Sequence, residues 1–518
     1  MSLPLTDRFG AYLEDKPVTA TVILVAMLTV LRLSLLLFYE SSLGPDEAQY
    51  WFWSQTLDWG YYSKPPMIAW VIALPTRIFG DYEWSVRLLS PVLIGATALL
   101  LFVAGRRLYG DRAGLWAAGL WMTLPVVIFG ATIMSTDIPL LFFWSLGLLA
   151  LVGLAQARPG AALGWGAVLG LAIGFGFLSK YAMMYFPLGW GLALLVSPYA
   201  RQTLKPGAIL LALIIAGVIF APNLVWNAQN GFQTLSHTAD NANWGAELLN
   251  PEELGQFLGD QFGVVGPLLF LSLVLGVATI RRRLGQAGAD ASKDLLLLSF
   301  ILPPLLIISG QALISRAHAN WAMTAYPAAM ILLPIWLIRL KAPWVLWSSA
   351  VLHGAVGLVF TAALLNFTLA DQLGQSNAVK RLRGWAEQTE QLRLAAAGYD
   401  GIVVDEREIA AHLIWETRND PIPLLVFDLN DRKDNTYEHA FGFEGEPSKR
   451  YLIATQHEGP PCRYNVFETL DQKGESFVDL RAKRRGKPER LIILYEAAGW
   501  QPTETRPCWR TISPDQDD

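Results

Sequence analysis

Residues 17–47 read PVTATVILVAMLTVLRLSLLLFYESSLGPDE. The apolar part of this stretch can cross a bilayer, because a helix needs roughly 20 apolar residues to span the hydrocarbon core. It is too long for the apolar core of a cleavable signal peptide, so we expect it to remain as a signal anchor. It ends in the charged motif Gly44-Pro45-Asp46-Glu47. Ionisable groups at membrane depth are costly, which makes them functional candidates.

The rest of the chain repeats this alternation of apolar runs and polar loops. The 518 residues are 53% hydrophobic and only 16% charged, which is typical of polytopic membrane proteins. We predict about eleven transmembrane helices. They lie near residues 18–39, 85–105, 113–131, 136–155, 161–179, 182–198, 206–226, 262–280, 295–314, 319–338 and 343–365.

Basic residues in the short loops predict the orientation, since Lys and Arg accumulate on the cytoplasmic side. Here they occupy every second loop: Arg106, Arg107 and Arg112; Arg158; Arg201 and Lys205; Arg281, Arg282, Arg283 and Lys293; Arg339 and Lys341. The N-terminus is then cytoplasmic, and the opposite loops face outward, into the periplasm if the membrane is the inner membrane of a bacterium. Those outer loops hold four motifs: Gly44-Pro45-Asp46-Glu47, Lys64-Pro65-Pro66, Ser135-Thr136-Asp137 and Ser179-Lys180-Tyr181.

The C-terminal part differs in character from the rest. We assign residues 1–367 to a transmembrane domain and residues 368–518 to an extracytoplasmic soluble domain. Strand-like runs at 401–404 and 491–495 predict one small α/β or α+β domain. Its two cysteines, Cys462 and Cys508, would form a disulfide in the periplasm, or else remain two buried thiols.

The adjacent carboxylates Asp46 and Glu47 have two readings. A carboxylate in a desolvated site can act as a general base on an acceptor hydroxyl. Acidic residues behind a Gly-Pro turn can equally be a solvated loop pair, or cap a helix and favour its first turn. Position alone leaves both interpretations open.

The other motifs also have structural alternatives. Lys64 can meet a phosphate as a point charge or simply extend its ammonium group to the interface. Asp137 precedes Ile138-Pro139 and fits a helix cap. Cations and polar groups nevertheless gather at the outer ends of several spans, which suggests an anionic ligand. They are Arg87, Lys180, Arg316, His318 and Asn320.

Several function classes find no support in the sequence. The net charge of -4 and the absence of a basic block argue against nucleic-acid binding. The sequence contains no Walker motif that would indicate coupling to ATP, and no strong motif for binding a metal ion. His237, Asp240 and His318 could in principle bind a divalent metal ion, but their spacing matches no strong metal motif. We therefore expect no cofactor.

Taken in order, the motifs resemble the protein O-mannosyltransferase superfamily of GT-C glycosyltransferases. Its bacterial branch includes the lipid A aminoarabinose transferases. The resemblance covers roughly residues 20–340. It rests on the Gly-Pro-Asp-Glu, Tyr-Tyr-Ser-Lys-Pro-Pro and Thr-Asp-Ile-Pro motifs, the 80–88 segment GDYEWSVRL and the 177–181 segment FLSKY.

This resemblance implies a GT-C membrane domain and transfer of a hexose or pentose from a polyprenyl-phosphate donor, with inversion at the anomeric carbon. Asp46 would be the catalytic carboxylate, with Glu47 its neighbour and Asp137 ordering the same cavity. Lys64 and Lys180 would neutralise the donor phosphate. Arg87, Tyr181 and the loop with Arg316, His318 and Asn320 would contact donor or acceptor.

The acceptor is less defined by the resemblance. The chain has no room for the large β-trefoil insert of the eukaryotic enzymes, and its C-terminal domain shows no evident match to that of the aminoarabinose transferases. We expect a lipid or glycan acceptor such as lipid A or lipopolysaccharide core. The alternatives are a protein O-glycosyltransferase, a lipid or sugar transporter, and a non-catalytic envelope assembly protein.

Overall fold

The computed structural model describes residues 16–234, 236, 249–429, 433, 435–457, 462–484 and 487–501. The chain forms two compact units. The first, here called the helical unit, comprises Met1–Phe38 and Leu57–Thr361. The second, here called the sheet unit, comprises Tyr39–Thr56 and Ala362–Asp518. The short segment after the first span therefore belongs with the C-terminal part of the chain.

The helical unit is built from α-helices joined by short turns and 3-10 segments. In chain order the α-helices are Pro17–Leu36, Met67–Phe79, Glu83–Arg87, Leu89–Tyr109, Asp111–Thr123, Pro125–Gly130, Asp137–Gln156, Ala162–Ser179, Tyr185–Val196, Pro198–Arg201, Pro206–Gln229, Pro251–Val265, Pro267–Ala278, Ile280–Ala287, Ala291–Ile314, Tyr326–Arg339 and Trp344–Leu365. The 3-10 segments are Pro159–Ala161, Tyr181–Met184, Gly288–Asp290 and Ala319–Ala325. Many of the α-helices begin with proline at their first position, where the missing N–H costs nothing.

In the described residues, eight helical stretches are long and apolar enough to cross a membrane. They are Pro17–Leu36, Glu83–Tyr109, Asp137–Gln156, Pro159–Ser179, Pro206–Gln229, Ile280–Ile314, Ala319–Arg339 and Trp344–Leu365. Each corresponds to a span predicted from the sequence. The polytopic helical fold is therefore confirmed, with eight or nine such spans in place of about eleven.

The remaining three predicted spans are broken or short. The stretch 113–131 is interrupted at Pro125, which has no N–H to continue the helical ladder. The stretch 182–198 contains only the 12-residue helix Tyr185–Val196 after a 3-10 turn. The stretch 262–280 bends by 120° at Gly266, whose φ of +90° lies in the left-handed region. Hydropathy averages over such breaks and cannot detect them.

Two of the apolar spans in the helical unit are buried more deeply than the others. They are Asp137–Gln156 and Ala319–Arg339, and in each of them 83% of the most apolar 18-residue stretch is buried. Trp144 meets Phe186 edge to face, with ring centroids 5.1 Å apart. Asp137 is the first residue of one of these spans, and Asn320 is the second residue of the other. Both candidate residues therefore lie at the ends of well-buried helices.

Small residues allow a second close helix pair. A Cβ added at Gly170 would lie 2.6 Å from the carbonyl oxygen of Ala212, and one at Gly174 would lie 2.8 Å from Cβ of Ile219. Such glycines at four-residue spacing let membrane helices approach closely. The helix Ala162–Ser179 therefore lies tightly against Pro206–Gln229 and presents Lys180 at a defined position just past its last residue.

The sheet unit contains one mixed five-stranded sheet. Its strands are β1 (Gly401–Val404), β2 (Leu424–Val426), β3 (Arg450–Thr455), β4 (Phe467–Arg484) and β5 (Lys487–Trp500), in the spatial order β2-β1-β3-β5-β4. β1 pairs in parallel with β2 and β3, whereas β5 runs antiparallel to β3 and β4. The predicted strand runs 401–404 and 491–495 correspond to β1 and to part of β5.

The sheet unit also contains α-helices and two 3-10 segments. The α-helices are Pro45–Gln55, Phe367–Gln372, Ser376–Val379, Trp385–Ala395, Arg407–Glu416 and Thr436–Ala440, and the 3-10 segments are Lys380–Leu382 and Cys462–Val466. Cys508 and the side chain of Cys462 lie outside the described residues, as do His237 and Asp240. The disulfide therefore stays a prediction.

Aromatic packing explains why the early segment Tyr39–Thr56 joins the sheet unit. Trp51 meets Trp415 edge to face, with ring centroids 4.8 Å apart. Phe52 lies 5.6 Å from the ring of Tyr437, centroid to centroid. Trp53 Nε1 donates a hydrogen bond of 3.1 Å to Thr436. The sequence assignment of residues 1–367 to one membrane domain did not anticipate these contacts.

Candidate functional site

The helix Pro45–Gln55 places the first carboxylate pair. Pro45 occupies its first position, and Asp46 and Glu47 lie in its first turn. The Gly44 N–H donates a 2.9 Å hydrogen bond to Glu47 Oε2, which closes the helix start. Glu47 is only 3% exposed. The helix-cap reading is therefore confirmed for Glu47, which lies three residues after the N-cap residue Gly44 and accepts its N–H.

Asp46 differs from its neighbour because it stays at the surface. Its side chain is 65% exposed. Arg407 Nη1 donates to Asp46 Oδ1 at 2.9 Å and to Gln49 Oε1 at 2.8 Å. An exposed, ionised carboxylate can accept a proton or a hydrogen bond from an incoming molecule.

A second group forms in the helical unit around Asp137. This residue begins the span Asp137–Gln156 and is 6% exposed. Lys180 Nζ lies 2.8 Å from Asp137 Oδ1, and Asn320 Nδ2 donates to Oδ2 at 2.9 Å. Three residues from three separate motifs thus meet at one buried carboxylate, with one donor for each oxygen.

The chemistry of this group follows from its charges. Burying a carboxylate requires a partner, and Lys180 supplies both the opposite charge and a donor. An ammonium carries three donor hydrogens, so Lys180 can hold Asp137 and still bind an anion. The lysine side chain retains 22% of its exposure. Asp137 therefore fixes a cation without consuming its capacity to bind a phosphate.

Tyr181 is tied to a different helix. Its hydroxyl donates to Asn223 Oδ1 at 2.9 Å and accepts from Asn227 Nδ2 at 3.0 Å. Both asparagines are fully buried, and Asn223 Nδ2 also donates to the Trp59 carbonyl at 2.6 Å. These contacts lock Tyr181 in place, and sequence reasoning missed both asparagines because they sit inside an apolar span.

The remaining predicted site residues also belong to the helical unit. Lys64 is half-buried, and its carbonyl accepts a 3.1 Å hydrogen bond from the Tyr61 N–H. Arg87 is 1% exposed, which is unusual for an arginine. The Arg316 carbonyl accepts from Gln311, and the His318 ring lies 5.2 Å from that of Trp321. The ten predicted residues thus divide between the units, with Asp46 and Glu47 in one and the other eight in the other.

Arg407 is a further functional candidate that could not be predicted from the sequence. It lies in a charged C-terminal region where an arginine carries no local signal. Only the tertiary contact with Asp46, 361 residues earlier, draws attention to it. Among the described residues, no group of three His, Cys, Asp or Glu side chains is arranged to hold a metal ion.

The sequence of this chain is similar to those of known glycosyltransferases. The family described as dolichyl-phosphate-mannose-protein mannosyltransferase matches residues 63–226, which include Lys64, Arg87, Asp137 and Lys180. Lipid A galacturonosyltransferase RgtD of Rhizobium johnstonii is 36% identical over 438 residues, covering 84% of this chain and 90% of the relative. The chain belongs to the protein O-mannosyltransferase superfamily of GT-C glycosyltransferases. The predicted resemblance is confirmed, and the protein is a membrane glycosyltransferase.

Other members of the GT-C superfamily give further context. An undecaprenyl phosphate-alpha-4-amino-4-deoxy-L-arabinose arabinosyl transferase of Pseudomonas fluorescens is 37% identical over 144 residues, 27% of this chain and 25% of that one. The crystal structure of ArnT from Cupriavidus metallidurans in the apo state superimposes with a TM-score of 0.63 at 17% identity. That match covers 92% of this chain and 98% of ArnT. The shared fold extends into the sheet unit, contrary to the expectation that the C-terminal domain has no counterpart there.

Proposed function

We propose that this enzyme transfers a sugar from an undecaprenyl-phosphate donor to lipid A or to the lipopolysaccharide core, at the periplasmic face of the inner membrane. The observation that carries the proposal is the 36% identity to a lipid A galacturonosyltransferase along 84% of the chain. A lipopolysaccharide core galacturonosyltransferase, RgtA of Rhizobium johnstonii, supports the same class of acceptor, with 29% identity over 262 residues, 50% of this chain and 52% of that one.

Within this class we propose galacturonic acid as the sugar, because the galacturonosyltransferase relative matches most of both chains. An aminopentose is the second candidate, supported by the 144-residue match to an aminoarabinose transferase. The latter match covers a quarter of that relative and leaves most of its chain unmatched. A protein acceptor has less support, because the family description that names a protein covers only residues 63–226, whereas the lipid A galacturonosyltransferase matches 84% of this chain. None of the relatives reported above is named as a transporter.

The proposed chemistry is a single displacement at the anomeric carbon. An acceptor oxygen attacks this carbon, the bond from the carbon to the phosphate oxygen breaks, and undecaprenyl phosphate leaves with the electron pair. The configuration is inverted. Asp46 accepts the proton when the acceptor is a hydroxyl group, and it orients the nucleophile when the acceptor is a phosphate.

In this proposal the positive charge that stabilises the leaving phosphate comes from Lys64 and Lys180. Asp137 and Asn320 keep Lys180 in place, as their hydrogen bonds of 2.8 and 2.9 Å suggest. Arg87, Tyr181, Arg316 and His318 are proposed to contact donor or acceptor. Because lysines supply the charge, the proposed reaction needs no metal cofactor, and chelation with EDTA should leave transfer unchanged.

The test is transfer of radiolabelled sugar by the purified full-length protein in liposomes. Undecaprenyl-phosphate galacturonic acid and the corresponding aminoarabinose donor are offered separately, with lipid A, lipopolysaccharide core or a protein extract as acceptor. We expect label in lipid A or core from the galacturonic acid donor, and labelling that is slower by about 10²–10⁴-fold with the Asp46→Asn variant. Transfer from the aminoarabinose donor alone would overturn the sugar assignment. Label in protein, or no transfer by a folded protein, would overturn the acceptor or the function.

A further inference from the structure

We propose that Arg407 is a positioning residue that holds the catalytic carboxylate of Asp46, with both residues in the sheet unit. This inference rests on the proposed function, because it assigns Arg407 a role through Asp46. Its starting point is the contact already described, in which one guanidinium nitrogen, Nη1, bridges Asp46 Oδ1 and Gln49 Oε1.

The local structure shows what the Arg407 contact does for Asp46. The backbone of its helix is fixed by the Glu47 cap and by the aromatic contacts of Trp51 and Trp53. The Asp46 carboxylate lies in the first turn of this helix, and its side chain is 65% exposed. Gln49 stands three residues further along the same helix face. A donor that binds both side chains therefore restricts the rotamer of Asp46.

The placement of Arg407 is rigid for its own reasons. It is the first residue of the helix Arg407–Glu416, and the ring of Trp415 near the other end is fully buried. Two residues before it, the buried Asp405 accepts hydrogen bonds from Thr455 Oγ1 at 2.7 Å and from Tyr464 at 2.8 Å. These hydrogen bonds fix the backbone just after β1, and Arg407 follows two residues later at the start of its helix.

Stability alone does not account for this pair. The side chains of Arg407 and Asp46 are 44% and 65% exposed. Ion pairs between exposed side chains contribute little to folding, because water screens the charges and two flexible side chains lose freedom. The arrangement is instead suited to orientation, since the planar guanidinium is a more rigid donor than an ammonium.

The experiment compares full-length variants in the sugar-transfer assay. Arg407→Gln removes the charge and keeps a polar side chain, and Arg407→Lys restores the charge. Arg393→Gln is the matched control in the same unit. Arg393 pairs with Glu390 at 2.7 Å, and these side chains are 42% and 53% exposed. The double variant with Asp46→Asn and Arg407→Gln tests whether both residues act as one.

We expect Arg407→Gln to lower kcat by up to about 100-fold, because a displaced catalytic group loses its alignment. The KM for the donor and the melting temperature should remain close to those of the wild type. Arg407→Lys should recover part of the rate, and Arg393→Gln should behave as wild type. The double variant should be no slower than Asp46→Asn alone.

Two results would overturn the inference while leaving the proposed function intact. One is an active wild type whose kcat is unaffected by Arg407→Gln. The other is a double variant whose loss is the product of both single losses, which would mean that Arg407 acts independently of Asp46. A folded wild type that transfers sugar from no donor would instead remove the proposed function, and the inference would fall with it.

Discussion

Two carboxylates at the starts of two helices meet their cations at nearly the same distance. Asp137 in the helical unit lies 2.8 Å from Lys180, and Asp46 in the sheet unit lies 2.9 Å from Arg407. Their surroundings differ sharply, since the side chain of Asp137 is 8% exposed and that of Asp46 is 65% exposed. Asp137 also has a donor on each oxygen, from Lys180 and Asn320.

The difference shows that an ion pair distance says little about the role of the pair. A buried pair has lost its hydration and depends on every hydrogen bond that replaces it, so removing one partner is severe. An exposed pair keeps its hydration, contributes little stability, and leaves its carboxylate accessible to a substrate. Asp137 is therefore held by its surroundings, whereas Asp46 keeps an accessible carboxylate, as its proposed catalytic role requires.

The largest effect should come from Asp46→Asn, which tests the reactive half of the comparison. Loss of a general base lowers the rate by about 10²–10⁴-fold. The melting temperature should stay at the wild-type value, because the lost pair is exposed. Single-turnover transfer and thermal unfolding in detergent measure the two quantities. A large drop in melting temperature would break the comparison, since Asp46 would then behave as Asp137 is expected to.

Asp137→Ala should act mainly on stability. Removing one partner of a buried pair costs about 3–5 kcal/mol, because the remaining charge is left uncompensated. Denaturant titration in detergent measures the loss. The double variant Asp137→Leu with Lys180→Met should recover much of this stability, because both charges are gone, while transfer stays lost. Equal stability of the single variant and the wild type would contradict a structural role for Asp137.

Asn320→Ala should have a smaller effect at the same carboxylate. A hydrogen bond to a charged group contributes about 1.5–3 kcal/mol, and the Lys180 contact remains. We expect a moderately lower melting temperature and a donor KM that rises as Lys180 loses order. Asn320→Asp is the sharper variant, since it places a second negative charge beside Asp137 and should be worse than alanine. If Asn320→Asp were better tolerated than alanine, the amide would not be a donor to Asp137.

The smallest effect concerns a nearly buried pair in the sheet unit. Burial raises the pKa of Asp371, but hydrogen bonds from Arg383 at 2.8 Å and from Ser376 outweigh it and hold the pKa below its usual range, with Arg481 nearby. A depressed pKa adds stability above the unfolded value of about 3.9, and this stability is lost as the pH falls below it. Melting curves of the full-length protein from pH 6 to 3 should show this loss, and Arg383→Gln should weaken it.

The sequence predicted the parts of this structure that depend on short stretches. Eight spans could be read from hydropathy, and the motifs with Asp137 and Lys180 lie at helix ends that the structure brings together. The breaks at Pro125 and Gly266 escaped detection because average hydropathy is continuous across them. Asn320 was predicted only loosely, yet it donates directly to Asp137.

Long-range contacts set the limit of such prediction. The partnership of Asp46 with Arg407 depends on how a sheet folds far along the chain, and no local pattern near either residue encodes it. The same holds for the aromatic contacts that draw Trp51 into the sheet unit. A composition change near residue 368 predicted a separate C-terminal domain, but it could not show that the helix Pro45–Gln55 belongs to the same unit as that part of the chain.

That early helix has a consequence for how the protein is made. The ribosome produces Asp46 long before Arg407, and 361 residues separate them. At 5 to 20 residues per second, synthesis of the intervening chain takes about 20 to 70 seconds. During this interval Trp51 and Phe52 of the helix Pro45–Gln55 cannot pack against Trp415 and Tyr437, because those residues have not yet been synthesised. A chain truncated before Arg407 would therefore contain all the membrane spans described above, the last of which ends at Leu365. Its Pro45–Gln55 helix would lack the contacts with Arg407, Trp415 and Tyr437.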